Sequence, residues 1–157
     1  MRNLLNKSHP LRWWWPAIVM MAIIFMGSTD LGAMSHQSRL LVPILKWLGF
    51  GDAAIHGIIL GVRKLAHLAE YALLAIFVWR AWMLRPAFRP PMAWTWRQAV
   101  VPFLICVVYA SLDEFHQWFV PSRGASPVDV MIDSVGALIG LWLLWCWHRS
   151  RLARAAG

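Results

Sequence analysis

Apolar sequence runs up to and away from one charged stretch, Ser111 to Gly140, and that juxtaposition limits what the chain can become. Within SLDEFHQWFVPSRGASPVDVMIDSVGALIG lie Asp113, Glu114, Asp129 and Asp133, four of the seven acidic residues, together with His116, Gln117 and Arg123. An ionisable side chain carried to the centre of a bilayer costs about 2.5–3.5 kcal/mol. A chain so poor in charge gathers such groups at the border of an apolar segment only where something compensates them. The stretch is therefore a candidate site.

The flanking sequence sets the class. Of the 157 residues 60% are hydrophobic and only 14% are charged, against about 25% charged in a soluble domain. The expectation is one all-α integral membrane domain over 1–157. A formal charge of +8 does not point to nucleic acid, because the basic residues lie in short clusters between apolar runs. Cys106 and Cys146 each fall inside an apolar run and read as small core residues, not as a disulfide or metal framework. The first run follows Arg2, Lys7 and Arg12 but leads through Gly27, Ser28 and Thr29 into Asp30, without a small-x-small cleavage pattern. It reads as a retained anchor.

Four spans are expected, at about 13–27, 65–84, 99–119 and 128–147. Trp13 to Trp15 fit an aromatic belt at the entry to the first. Residues 28–38 read as a polar loop. Leu40 to Phe50, interrupted by Pro43, Lys46 and Gly49, reads as an interfacial or re-entrant segment between spans one and two. Asp52 is placed to cap a helix starting near Ala53. Residues 85–98, rich in Pro, Arg and Trp, read as a connection. With four spans, Arg2, Lys7, Arg12, Arg80, Arg85, Arg89, Arg97, Arg149, Arg151 and Arg154 share one side, so both termini are expected in the cytoplasm.

That topology brings distant pieces to one depth on the opposite side. His67 and Glu70 are expected in the first turns of span two, Asp113, Glu114 and His116 at the end of span three, and Asp129 and Asp133 at the start of span four. Arg63, His67 and Glu70 share a helical face, with Lys64 and Tyr71 beside it, and Asp113, His116 and Gln117 form another stripe. The stripe through Asp129 and Asp133 continues to Gly136, Ala137 and Gly140, small residues that let a neighbouring helix approach. Ser126–Pro127 suits a helix start, and Arg123 sits on the short connection above the acids. Residues 28–62 are expected to roof the cluster.

Two segments carry a family resemblance. R-K-x-A-H-x-x-E-Y-x-x-L-A, Arg63 to Ala75, and D-E-x-H-Q-x-F-V-P-x-R-x(5)-D-x(3)-D-x-x-G, Asp113 to Gly136, resemble the two signatures of the VanZ-like membrane proteins. The founding member of that family is associated with resistance to the glycopeptide teicoplanin. The resemblance implies a bacterial inner-membrane location and a role in the cell envelope, and it supplies no mechanism; the expected extracytoplasmic position of the site follows from the distribution of basic residues.

The chemistry of the cluster leaves several readings open. A phosphoryl hydrolase or transferase acting on a lipid-linked phosphate needs cations on the phosphate oxygens and an acid/base pair. Arg63, Lys64 and Arg123 would hold the phosphate, with Tyr71 and Gln117 beside them. His67 or His116 would carry protons, oriented by Asp113, Asp129 or Asp133, with Glu70 and Glu114 completing the acidic set. The run Ser122–Arg123 to Asp129 is similar to the end of a signature of membrane phosphatidic-acid phosphatases, but Ala125 stands where that signature has a histidine. Glu70, Asp113, His116, Asp129 and Asp133 would also suit a divalent ion such as Mg²⁺, Mn²⁺ or Zn²⁺. The other readings are a non-catalytic envelope or resistance factor held by an ion-pair network, and a small proton-coupled transporter or flippase. The expected partners are the bilayer and a lipid-linked envelope precursor or phospholipid headgroup.

Overall fold

A computed structural model describes residues 11–29, 34–84, 94–120 and 124–156. They form five helices, and no strand occurs among the described residues: α1 Leu11–Ser28, α2 Met34–Trp47, α3 Asp52–Met83, α4 Trp96–Gln117 and α5 Pro127–Ala156. Among them α3 is the one helix in contact with all the others, and its most extensive contact is with α5. The core is built from Ala17, Met20 and Ile24 on α1, Tyr71, Leu74, Ala75 and Val78 on α3, Ala99, Cys106 and Ala110 on α4, and Ala137 and Leu141 on α5. Small residues recur on all four helices, so the axes draw close without large side chains between them.

The contact between α3 and α5 depends on two glycines. A Cβ atom added at Gly136 would overlap the backbone of Leu68, and one at Gly140 the backbone of Ala72. The small-residue stripe expected from sequence is thus where α5 meets α3. Ser126 and Pro127 begin α5 as expected. The Ser126 hydroxyl accepts from the Val128 amide at 3.2 Å and the Ser126 carbonyl accepts from the Asp129 amide at 2.8 Å.

Several boundaries differ from the sequence expectation. The second long helix begins at Asp52, not near Leu65, and runs 32 residues, about 48 Å at 1.5 Å per residue. No proline interrupts 52–83, and Gly57 and Gly61 each cost only about 1 kcal/mol in a helix. His67 and Glu70 are consequently mid-helix residues. Gly51, not Asp52, is the N-cap, and Asp52 instead pairs with Lys46 at 3.2 Å across the turn from α2. Residues 34–38, expected as loop, are helical, and α2 continues through Pro43. It ends in a Schellman motif: the Phe50 amide donates to Leu45 at 3.1 Å and the Gly49 amide to Lys46 at 3.0 Å, with Gly49 at φ 86°. Trp96 to Gln98 belong to α4 rather than to the preceding connection, because the Gln98 side chain accepts from the Thr95 amide at 3.2 Å and stabilises the first turn. The basic tail is helical as far as Ala156.

The outer surface is apolar. Leu104, Val108, Leu112 and Phe115 form one exposed stripe on α4, which Phe119 extends just past its end, and Met131, Val135, Leu138 and Trp142 form another on α5. Soluble monomers rarely expose contiguous apolar patches of this kind. Trp96–Gln117 and Pro127–Arg154 are each long and apolar enough to cross a membrane.

Candidate functional site

Polar side chains from α1, α3, α4 and α5 meet where the C-terminal ends of α1 and α4 approach the start of α5 and the middle of α3. Two groups can be separated by their surroundings. The first is a buried clip. Ser28, the last residue of α1, donates its hydroxyl to Asp113 Oδ2 at 2.6 Å. Gln117, one turn further along α4, donates from Nε2 to the same carboxylate oxygen at 2.9 Å and to Ser28 Oγ at 3.3 Å. Ser28, Asp113 and Gln117 are all buried. Arg63 Nη2 donates to Gln117 Oε1 at 3.2 Å, so the clip reaches from α1 through α4 to α3.

The second group lines a small, partly enclosed cleft. Its walls are Arg63, Lys64 and His67 from α3, Glu114 and Gln117 from α4, and Asp129, Ile132 and Asp133 from α5. Lys64 Nζ lies 2.8 Å from Asp129 Oδ1, and His67 Nδ1 lies 3.8 Å from Asp133 Oδ1. Glu114 is buried and accepts the Ser126 amide at 2.7 Å, which fixes the start of α5 against α4. Three basic and three acidic side chains therefore face one small volume, and Lys64 keeps 47% of its side-chain surface exposed. An exposed ion pair contributes about 1 kcal/mol or less, so Lys64 can exchange Asp129 for another anion at small cost.

The remaining expected site residues fall elsewhere. Asp113 and Gln117 meet as the helical spacing suggested, but His116, one position away, turns its ring onto Phe25 at 4.7 Å between centroids. Its Nε2 is buried without a hydrogen-bond partner. Tyr71 is fully buried in the core, 6.3 Å from the Tyr109 ring. Glu70 is half-buried on α3, one turn beyond His67. Arg123 lies outside the described residues. Asp133 stands against His67 rather than against Arg63 or Lys64, because α5 enters beside the His67 turn of α3. Among the described residues no three His, Cys, Asp or Glu side chains group as metal ligands. Helix α2 packs on α3, and none of its described side chains is among the cleft walls.

Ser28 is the participant that the sequence reading left in a loop. The signal was present: Ala17, Met20 and Ile24 are the buried stripe of α1, and one more turn lands on Ser28. Tyr109 reinforces the same junction by donating its hydroxyl to the Met21 carbonyl at 2.6 Å. Ser28→Ala is expected to lower stability by about 1–2 kcal/mol, since it leaves a buried carboxylate oxygen with one donor fewer. Thermal unfolding in detergent, followed by tryptophan fluorescence, reads this directly; an unchanged midpoint would remove Ser28 from the clip.

No curated protein and no solved structure is similar to the chain. The family model described as VanZ/LLP1 matches residues 13–148, a span that takes in most of α1, both signature segments and all the described residues of the cleft. The cleft is thus built from the parts of the sequence that the family pattern covers, and the chain belongs to the VanZ/LLP1 family of membrane proteins.

Proposed function

We propose that this protein is a four-span envelope protein of the bacterial inner membrane, with both termini in the cytoplasm, whose extracytoplasmic cleft binds the anionic headgroup of a lipid-linked molecule. The observation that carries this reading is the placement of Arg63, Lys64 and His67 on one face of α3, lining a cleft beside two helices fit to cross a membrane. Guanidinium and ammonium groups hold phosphate oxygens through charge-assisted hydrogen bonds. His67 beside Asp133 has the arrangement of an acid/base pair, which supports hydrolysis or transfer of the bound phosphate; His116, against Phe25 and away from the cleft, does not share that role.

The test is retention of labelled phosphatidic acid against neutral diacylglycerol by purified protein in detergent, followed by phosphate release with and without chelator. Lys64→Gln is expected to weaken retention about tenfold or more, because a hydrogen bond to a charged group is worth about 1.5–3 kcal/mol. Phosphate release lost on His67→Gln would establish catalysis, and its sensitivity to chelator would show a divalent metal. Equal retention of the charged and neutral lipids would overturn the headgroup reading. The second reading, a structural ion-pair network, draws on the Lys64–Asp129 bond between α3 and α5; it requires Lys64→Gln to lower the unfolding midpoint instead.

A further inference from the structure

The polar cleft continues into the membrane-facing surface. Glu114 lines the cleft and also lines a second hollow, of about 480 Å³, between the end of α4 and the start of α5. The other walls of this hollow include Phe115, Trp118, Pro127 and Val130. Phe115 and Trp118 are 64% and 76% exposed, and Phe115 belongs to the apolar stripe of α4. At the junction of the two hollows the Ser126 amide donates to Glu114 Oε2 at 2.7 Å, and Ser126 itself lines the outer one.

We infer that the outer hollow is a lateral portal that seats the hydrocarbon chain of a membrane lipid while its anionic headgroup occupies the cleft. This rests on the headgroup reading above. The two hollows offer opposite chemistry on either side of one residue, cations and acids inward, aromatic and aliphatic carbon outward. A molecule that satisfies both, on either side of Glu114, must carry a charged group and hydrocarbon a few bonds apart. A soluble phosphate has no use for the outer walls. A partner helix would lie along the whole apolar stripe of α4 and would make no use of the carboxylate of Glu114, against which this hollow ends.

The experiment places the full-length protein in phosphatidylcholine vesicles containing a phosphatidic acid with a photoreactive diazirine in its acyl chain. The reference surface is the apolar hollow at Leu104 and Val108, about 670 Å³, which has no charged wall among the described residues. Adducts on peptides carrying Phe115, Trp118 and Val130 are expected several-fold above those at Leu104 and Val108. Ala125→Trp, which fills the hollow from the connection before α5, is expected to reduce them several-fold at an unchanged unfolding midpoint; Ser111→Phe fills it from α4 if the first variant unfolds. Equal labelling of the two hollows overturns the portal. Equal labelling together with weakened retention of phosphatidic acid by Lys64→Gln overturns the portal and leaves the headgroup reading standing. Enriched labelling that is the same for a neutral diacylglycerol probe and in Lys64→Gln supports the portal for hydrocarbon and removes the headgroup reading.

Discussion

Gly140→Ala is expected to destabilise the protein by about 1–3 kcal/mol, while Gly61→Ala is expected to stabilise it by up to about 1 kcal/mol. Both glycines are helical, so intrinsic propensity favours alanine at each. They differ in what the new methyl group meets. At Gly61 nothing lies within 4 Å of it, whereas at Gly140 it would overlap the Ala72 carbonyl and Cα of α3. A backbone carbonyl cannot rotate aside as a side chain can, so the helices must separate. Separation would also loosen the Lys64–Asp129 and His67–Asp133 pairs, which span the same interface about three and two turns away. Gly136→Ala, against Leu68, is expected to behave like Gly140→Ala. Unfolding midpoints in detergent for the three single variants decide the matter: a stabilised Gly140→Ala would mean that α3 and α5 are further apart than described.

Asp113→Ala should lower stability by about 2–4 kcal/mol, the largest effect expected of any single charge removal, because two buried donors, Ser28 Oγ and Gln117 Nε2, lose a shared acceptor at once. Gln117 would then hold Arg63 less firmly, so the loss reaches α3. Asp129→Ala, by contrast, removes a partner from a half-exposed pair and is expected to change stability by about 1 kcal/mol or less. The two variants separate clip from cleft. Should Asp113→Ala unfold at the wild-type temperature, the carboxylate is not a structural acceptor, and its role moves to the cleft chemistry.

What the residues disclosed without coordinates follows their geometry. Helical period alone put Gly136, Ala137 and Gly140 on one stripe, because a helix of small residues has one way to use them. Helical spacing also joined Asp113 to Gln117. The period says which residues share a face but not which rotamer they take. His116 and Gln117 are adjacent on α4, yet one packs on Phe25 and the other binds Asp113. That choice depends on where α1 lies, and no local pattern records it. The start of α3 was missed for a related reason. Arg63 and Lys64 look like a boundary between water and membrane, but they lie inside a helix that begins eleven residues earlier and is tied back to α2 through Lys46 and Asp52. Ser28 escaped because a serine after an apolar run resembles the start of a loop, until the buried stripe is counted one turn further.

The uninterrupted course of α3 has a mechanical consequence. Arg63, Lys64 and His67 are mounted on one rod with no proline hinge between Asp52 and Met83, so their backbones move together. Rotating α3 by a single residue, about 100°, would withdraw all three basic groups together and present a different set of side chains to Asp129 and Asp133. A backbone rearrangement at this cleft is therefore a motion of the whole helix, with the two glycines of α5 acting as the bearing on which it turns.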